Sequence, residues 1–138
     1  MLFGTVVSVM DGDTLGVRTS KRAFVKVRLY GIDAPEHGQA YGKKAKRALS
    51  DLVFKKKVSV LIKDRDQYGR IVGIVMSDGE NINERMVRAG YAWVYGWFCK
   101  EPEKSRWLKL EKEAKAGRKG LWAGKKPMPP WKWRRARR

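Results

Sequence analysis

Three acidic residues have a type and spacing suited to chemistry, in a chain that is otherwise strongly basic. Asp13 lies in the sequence DGDT, and Asp33 and Glu36 flank Ala34-Pro35 in GIDAPE. Each lies at or just beyond the end of a predicted strand, where loops on a rigid scaffold usually carry function. Carboxylates that lie close together raise each other's pKa unless a cation neutralises them. Calcium suits such a site, because it accepts several oxygen ligands in flexible geometry, including backbone carbonyls and water.

Two arginines are placed to bind a phosphate beside such a metal. Arg28 lies on the predicted strand that leads into GIDAPE, and Arg70 follows Tyr68-Gly69 directly. A planar guanidinium binds phosphate oxygens in a bidentate manner, which suits this task better than lysine. A metal held by few carboxylates keeps positive charge for a substrate phosphate, and Glu36 is a candidate base towards water. Together these residues predict phosphoryl chemistry.

Each of these motifs also has a purely structural interpretation. DGDT alone is typical of a solvated turn. Asp33 is then a cap on the turn before Pro35, and Glu36 is an acidic neighbour of the first helix N-terminus. Arg28 and Arg70 are then two members of a basic surface.

Composition limits the class of protein. The chain has 138 residues, enough for one domain, and a formal net charge of +18, which favours a polyanionic partner such as nucleic acid, with an anionic membrane surface second. No apolar run approaches the ~20 residues needed to span a bilayer. A single cysteine, Cys99, and a single histidine, His37, exclude an intrachain disulfide and a thiolate metal cluster and leave little room for a zinc site.

The elements that must position these residues follow from the apolar spacing. Period-2 patterns predict five strands, at residues 3–10, 15–17, 24–29, 58–63 and 70–76, with the first two joined by a turn centred on Asp11-Gly12. Helical spacing predicts three helices, over residues 39–53, 83–89 and 102–116. This order indicates a mainly β, α+β fold: a small closed five-stranded OB-like barrel with three packed helices.

The two ends of the chain differ in character from the middle. We expect a folded domain over residues 1–126 and an irregular basic tail over residues 127–138, since proline blocks a helix and the charges repel one another. Trp131 and Trp133 in this tail either stack on unpaired bases or belong to a disordered cationic segment. The start, MLFGTVVSVM, alternates like a strand and lacks the features of an export signal. We expect a secreted or periplasmic protein if such a signal was removed, and otherwise a cytoplasmic one.

Six separated motifs resemble those of the staphylococcal nuclease (thermonuclease-like) family in order and approximate spacing. They are DGDT, VRLYGIDAPE, AYGKKAK, DQYGR, INERMVRAGYAWVY and KGLW, and the match as a whole runs from about Val6 to Trp122. The resemblance implies an OB-fold barrel with three helices. It also implies a calcium-dependent phosphodiesterase that acts on DNA and RNA.

The resemblance assigns roles residue by residue. Asp13 and Asp33 are expected to bind one Ca²⁺ through their carboxylates, and Ala34 through its backbone carbonyl. Ala34 replaces a threonine of the type enzyme, a change that a carbonyl ligand tolerates. Glu36 is the expected general base, and Arg28 and Arg70 are the expected catalytic arginines that bind the phosphate and stabilise its transition state. Asp11, Thr14 and Tyr68 are expected to lie beside the metal ligands or to contact the substrate.

The predicted function is therefore a metal-dependent endonuclease of low sequence specificity. Its expected product ends are a 3′-phosphate and a 5′-hydroxyl, from cleavage of the P–O5′ bond, and we expect a monomer. The alternative is a non-catalytic nucleic-acid-binding OB-fold module. The acidic residues argue against it, because a module that only binds a polyanion has no need of acids that face it. A third interpretation, a lipid-surface protein, is disfavoured because the third helix mixes Glu103, Glu111 and Glu113 with its lysines.

Overall fold

Strands built from alternating apolar residues form the centre of the molecule. In the computed structural model, which describes residues 1–137, the long strands are β1 (Leu2–Asp11), β2 (Thr14–Thr19), β3 (Phe24–Leu29), β5 (Lys57–Arg65) and β6 (Ile71–Ser77). Three strands of two residues are β4 (Ile32–Asp33), β7 (Glu80–Asn81) and β8 (Trp93–Val94). The helices are α1 (Gly42–Val53), α2 (Ile82–Arg88), α3 (Glu103–Ala116) and α4 (Pro130–Ala136), with a 3-10 turn at Gly120–Ala123.

The sheet closes on itself. The strand order is β3-β2-β1-β5-β6-β7, and a parallel pairing of β3 with β6, in which Val27 lies opposite Ile71, completes the barrel. Residues such as Val6, Leu15 and Val27 fill its interior. The prediction of a five-stranded OB-fold barrel of the α+β class with packed helices is therefore confirmed.

The first turn differs by one residue from its prediction. Asp11 pairs with Thr14, so the two-residue turn is Gly12-Asp13 rather than one centred on Asp11-Gly12. The position of the turn is decided by the pairing register of β1 and β2, which the pattern of apolar residues alone does not specify. The turn lies against α1, because a Cβ at Gly12 would lie 2.8 Å from the Cβ of Ala45. The barrel and α1 thus hold Asp13 from both sides.

The prediction of an irregular tail is wrong for Pro130–Ala136, which form α4. Pro130 lies in the first turn of α4, where the missing N–H costs no helical hydrogen bond. The helix packs on the protein: the ring of Trp131 stacks on that of Tyr95 with centroids 5.3 Å apart and planes 4° from parallel. Tertiary contacts therefore order a segment whose local sequence disfavours a helix. A domain boundary near residue 126 stays a prediction.

No helix among residues 1–137 combines the length and the apolarity that crossing a membrane requires.

Candidate active site

One cleft brings together nearly all of the residues that the sequence nominates. It has a volume of about 720 Å³ and lies where β2, β3 and β4 meet the loop between β5 and β6. The nominated residues that line it are Asp11, Asp13, Thr14, Arg28, Asp33, Glu36, Tyr68 and Arg70. Ala34 is buried and does not line the cleft, so its predicted role depends on its backbone alone.

Asp13 is fixed by its own turn and by the segment that follows β4. Its Oδ1 accepts a hydrogen bond from the Thr14 hydroxyl at 2.9 Å, and its Oδ2 accepts one from the backbone N–H of Ala34 at 2.8 Å. The carbonyl of Asp13 accepts from the N–H of Leu29 at 2.8 Å. The carboxylate therefore has one orientation, which the barrel backbone sets.

Asp33 is positioned by a second, smaller sheet. It lies on β4 and pairs with Trp93 on β8, and the neighbouring N–H of Val94 donates to Oε2 of Glu111 on α3 at 2.7 Å. Asp33 has only 1% of its surface exposed. Burial raises the pKa of this carboxyl, and the charge of Asp13 adds to the effect, whereas Arg134 and Arg28 lower it. A buried carboxylate of this kind requires a cation beside it.

Arg28 connects the two aspartates. Its Nη1 donates to the carbonyls of Ile32 and Leu29 at 2.8 and 3.2 Å and lies 3.5 Å from Oδ2 of Asp13. Its Nη2 lies 3.4 Å from Oδ1 of Asp33. Because two backbone carbonyls share the guanidinium, Arg28 keeps its place whatever the carboxylates bind.

Arg70 lies on the loop between β5 and β6, directly before β6, the strand that pairs with β3. Its Nε lies 2.6 Å from Oδ2 of Asp66, whose Oδ1 also accepts from the N–H groups of Tyr68 and Arg70 at 2.9 and 3.0 Å. Slight burial raises the pKa of Asp66, but these hydrogen bonds outweigh it and lower the pKa below its ordinary value. The sequence interpretation missed Asp66; the (i, i+4) spacing within DRDQYGR is the signal that could have found it.

Glu36 begins the loop that leads into α1. Its N–H donates to Oε1 of Gln39 at 3.1 Å, and its carbonyl accepts from the N–H of Gln39 at 2.9 Å. About a third of its side chain is exposed, so its carboxylate reaches the open cleft. Nearby, burial and the charges of Asp13 and Glu36 raise the pKa of Asp11.

A third arginine, which the sequence interpretation did not nominate, completes the cleft. Arg134 on α4 places Nη2 2.8 Å from Oδ2 of Asp33, and Nη1 3.2 Å from Oδ1 of Asp33 and 3.0 Å from Oε1 of Glu36. These partners are 101 and 98 residues away along the chain. No local pattern marks one arginine of WRRARR over another, so only the fold identifies it.

The oxygen donors of the cleft suit a cation that takes few ligands from protein side chains. No three Asp, Glu, His or Cys side chains in residues 1–137 come together as a metal-binding group. Asp13 and Asp33 both lie within ion-pair distance of Arg28, and the buried Asp33 already holds a guanidinium. Two carboxylates, with backbone oxygen and water to complete the coordination, are a set of ligands that calcium accepts.

The chain is similar in sequence to several known proteins. A family model described as staphylococcal nuclease homologue matches residues 26–124. The micrococcal nuclease of Shigella flexneri is 42% identical over 142 residues, which cover 96% of this chain and 80% of that protein. An uncharacterized endonuclease of Escherichia coli is 46% identical over 134 residues, with 96% and 85% covered. A probable staphylococcal-like nuclease of Oryza sativa subsp. japonica is 47% identical over 113 residues, which cover 82% of this chain and 33% of that protein.

Proposed function

The chain belongs to the staphylococcal nuclease family, and from this premise we propose that it is a calcium-dependent phosphodiesterase that hydrolyses DNA and RNA with little sequence specificity. One observation carries the proposal: Asp13, Asp33 and Glu36 share a single cleft with Arg28 and Arg70, in a protein of net charge +18. A nucleic-acid-binding surface has no use for buried acids that face a polyanion. A hydrolytic site needs both signs of charge.

Asp13 and Asp33, with the backbone carbonyl of Ala34, are the proposed calcium ligands. Calcium bound there supplies positive charge close to a substrate phosphate. Thr14 orients the carboxylate of Asp13 through its 2.9 Å hydrogen bond, and Asp11 adds negative charge at the edge of the cleft. These two residues support the ligands rather than replace them.

Glu36 is the proposed general base. It takes a proton from a water, and the oxygen of that water forms the new bond to phosphorus. Arg28 and Arg70 bind the non-bridging phosphate oxygens from the two sides of the cleft, which stabilises the charge that develops there. Tyr68, three-quarters exposed at the rim, lies where it can contact the same phosphate.

The P–O5′ bond then breaks, and the leaving 5′ oxygen takes up a proton from solvent to give the 5′-hydroxyl. The phosphate stays on the 3′ side. All of the proposed residues come from one chain, so we also propose that the monomer is the active form.

The test is digestion of single-stranded DNA, double-stranded DNA and RNA in millimolar calcium and then in excess chelator, with end analysis of the products. We expect cleavage in calcium alone and roughly 10²- to 10⁴-fold slower turnover in Glu36→Gln, because that change removes a base and not a phosphate contact. Glu113→Gln, an exposed change on α3, is the matched control.

Two outcomes would contradict the proposal in different ways. Equal turnover in wild type and Glu36→Gln removes Glu36 from the mechanism. Tight nucleic-acid binding without cleavage in any metal supports the alternative, a non-catalytic binding module.

A further inference from the structure

The C-terminal arm, residues 127–137, lies against the cleft rather than away from it. We propose that this arm is an autoinhibitory device: the guanidinium of Arg134 competes with the divalent cation for Asp33 and Glu36, and cation binding displaces the arm. The inference rests on the proposed function, since it concerns the same carboxylates.

The guanidinium of Arg134 occupies the carboxylate oxygens that a bound divalent cation would need. Its two Nη atoms meet both oxygens of Asp33, at 2.8 and 3.2 Å, and one of them also meets Glu36 at 3.0 Å. A bidentate guanidinium–carboxylate pair of this geometry is among the stronger charge-assisted contacts. The proposed metal ligand and the proposed base are thus neutralised together by one side chain.

Arg134 and a divalent cation at Asp33 compete for the same oxygens. Both Oδ atoms of the almost fully buried Asp33 accept hydrogen bonds from Arg134, so a metal ligated by this carboxylate must displace that guanidinium, and the weakly screened repulsion between the two charges favours its departure. Arg28 cannot be the group that leaves, because the carbonyls of Leu29 and Ile32 also hold it. Among the hydrogen bonds of residues 1–137, the Arg134 guanidinium makes contacts only to Asp33 and Glu36. Arg134 is therefore the replaceable cation.

The rest of the arm is held by aromatic packing and by a hydrogen bond to Gln39. Trp131 stacks on Tyr95 and meets the edges of Trp93 and Trp97, with centroids 6.3 and 5.7 Å away. The carbonyl of Met128 accepts a hydrogen bond from Nε2 of Gln39 at 2.7 Å. A helix of seven residues is not stable by itself in water, so α4 persists only while it is docked. Loss of the Arg134 contacts should therefore loosen the whole segment.

The experiment measures calcium binding by titration calorimetry in full-length wild type, Arg134→Gln and Arg135→Gln. Arg135 is the matched control, since it neighbours Arg134 on the same helix, is exposed and forms no ion pair among residues 1–137. If the arm is docked about nine-tenths of the time, its removal tightens apparent calcium affinity about tenfold. We expect that gain in Arg134→Gln and a change below about twofold in Arg135→Gln.

A second readout reports the arm directly. Amide hydrogen exchange of residues 131–137 should accelerate in wild type when calcium is added, and should already be fast without calcium in Arg134→Gln. Together the two results establish that the cation and the arm compete.

Two outcomes overturn the inference and separate it from the proposed function. If calcium binds equally to wild type and Arg134→Gln and exchange of the arm is unchanged, the arm does not compete, while the calcium site stands. If calcium binds to none of the three proteins, the calcium site of the proposed function and the competition at it both fail.

Discussion

The inner wall and the outer rim of the cleft hold their charged groups by different means. On the wall, Arg28 and Asp13 are tied to backbone atoms of the barrel. On the rim, Arg70 and Arg134 carry about a third of their side-chain surface exposed, and within residues 1–137 the hydrogen bonds of their guanidinium groups go to carboxylates and not to backbone. The wall is therefore fixed by the register of the strands, and the rim by pairs of charges that can exchange partners.

This difference separates two tasks that a hydrolytic site must combine. A phosphate and a cation need fixed charges whose geometry does not relax, because preorganised groups stabilise developing charge at least cost. A long polymeric substrate needs an entrance that can open. The wall suits the first task and the rim the second, and the following predictions test that division from the largest effect to the smallest.

The largest effect is expected from Arg28→Lys on the wall. Lysine keeps the charge but loses the planar fork that joins the carbonyl of Ile32 to Asp33, so the phosphate loses a preorganised pair of donors. We expect kcat/KM to fall roughly 10²- to 10³-fold in a fluorescent oligonucleotide assay. Arg18→Lys, an exposed change on the neighbouring strand β2, should leave it unchanged. Near-normal cleavage by Arg28→Lys would show that the wall arginine acts as a simple charge.

The same division explains how much could be predicted from sequence. The wall residues Asp13, Arg28 and Asp33 are marked by local strand patterns and turn chemistry, and the structure brings them into one cleft. The turn at Gly12-Asp13 was misplaced by one residue because cross-strand register is a tertiary property. The rim residue Arg134 was not predicted, because its partners lie about a hundred residues earlier. Helix α4 was missed for the same reason, since docking and not propensity forms it.

Glycine substitutions distinguish the wall from the rim in folding stability. Gly12→Ala would place a Cβ 2.8 Å from Ala45 and 2.9 Å from Ala34, in a packed part of the wall. We expect the free energy of unfolding to fall by about 2 kcal/mol, a roughly 30-fold change in the folding equilibrium, measured by urea denaturation. Gly96→Ala is the matched change, beside the cleft residue Tyr95 and with nothing within 4 Å of its Cβ, and should shift that free energy by less than about 0.5 kcal/mol. Equal losses in the two variants would argue against a more tightly packed wall.

Asp66→Asn tests whether the rim arginine depends on its carboxylate. Asparagine retains an acceptor for the N–H groups of Tyr68 and Arg70 but loses the charged partner of Nε of Arg70. We expect kcat to fall about tenfold from poorer positioning of Arg70, with stability changed by less than about 1 kcal/mol because the pair is partly exposed. Asp51→Asn, an exposed change on α1 away from the cleft, is the control. An unchanged kcat in Asp66→Asn would mean that Arg70 finds the phosphate without this support.

The smallest expected effect is on the salt dependence of DNA binding, in which two adjacent arginines of α4 should differ. Arg134 is neutralised by Asp33 and Glu36, whereas Arg135 is exposed to solvent. When binding of single-stranded DNA is measured in chelator across a salt series, Arg135→Gln should reduce the slope of log K against log salt by about 0.7, the value for one lost phosphate contact. Arg134→Gln should leave the slope unaltered, since a guanidinium held by carboxylates releases no counterion from DNA. A reduced slope in Arg134→Gln instead would mean that Arg134 contacts a phosphate in the absence of calcium. Nucleic acid, and not the metal, would then be the partner that draws this arginine out of the cleft.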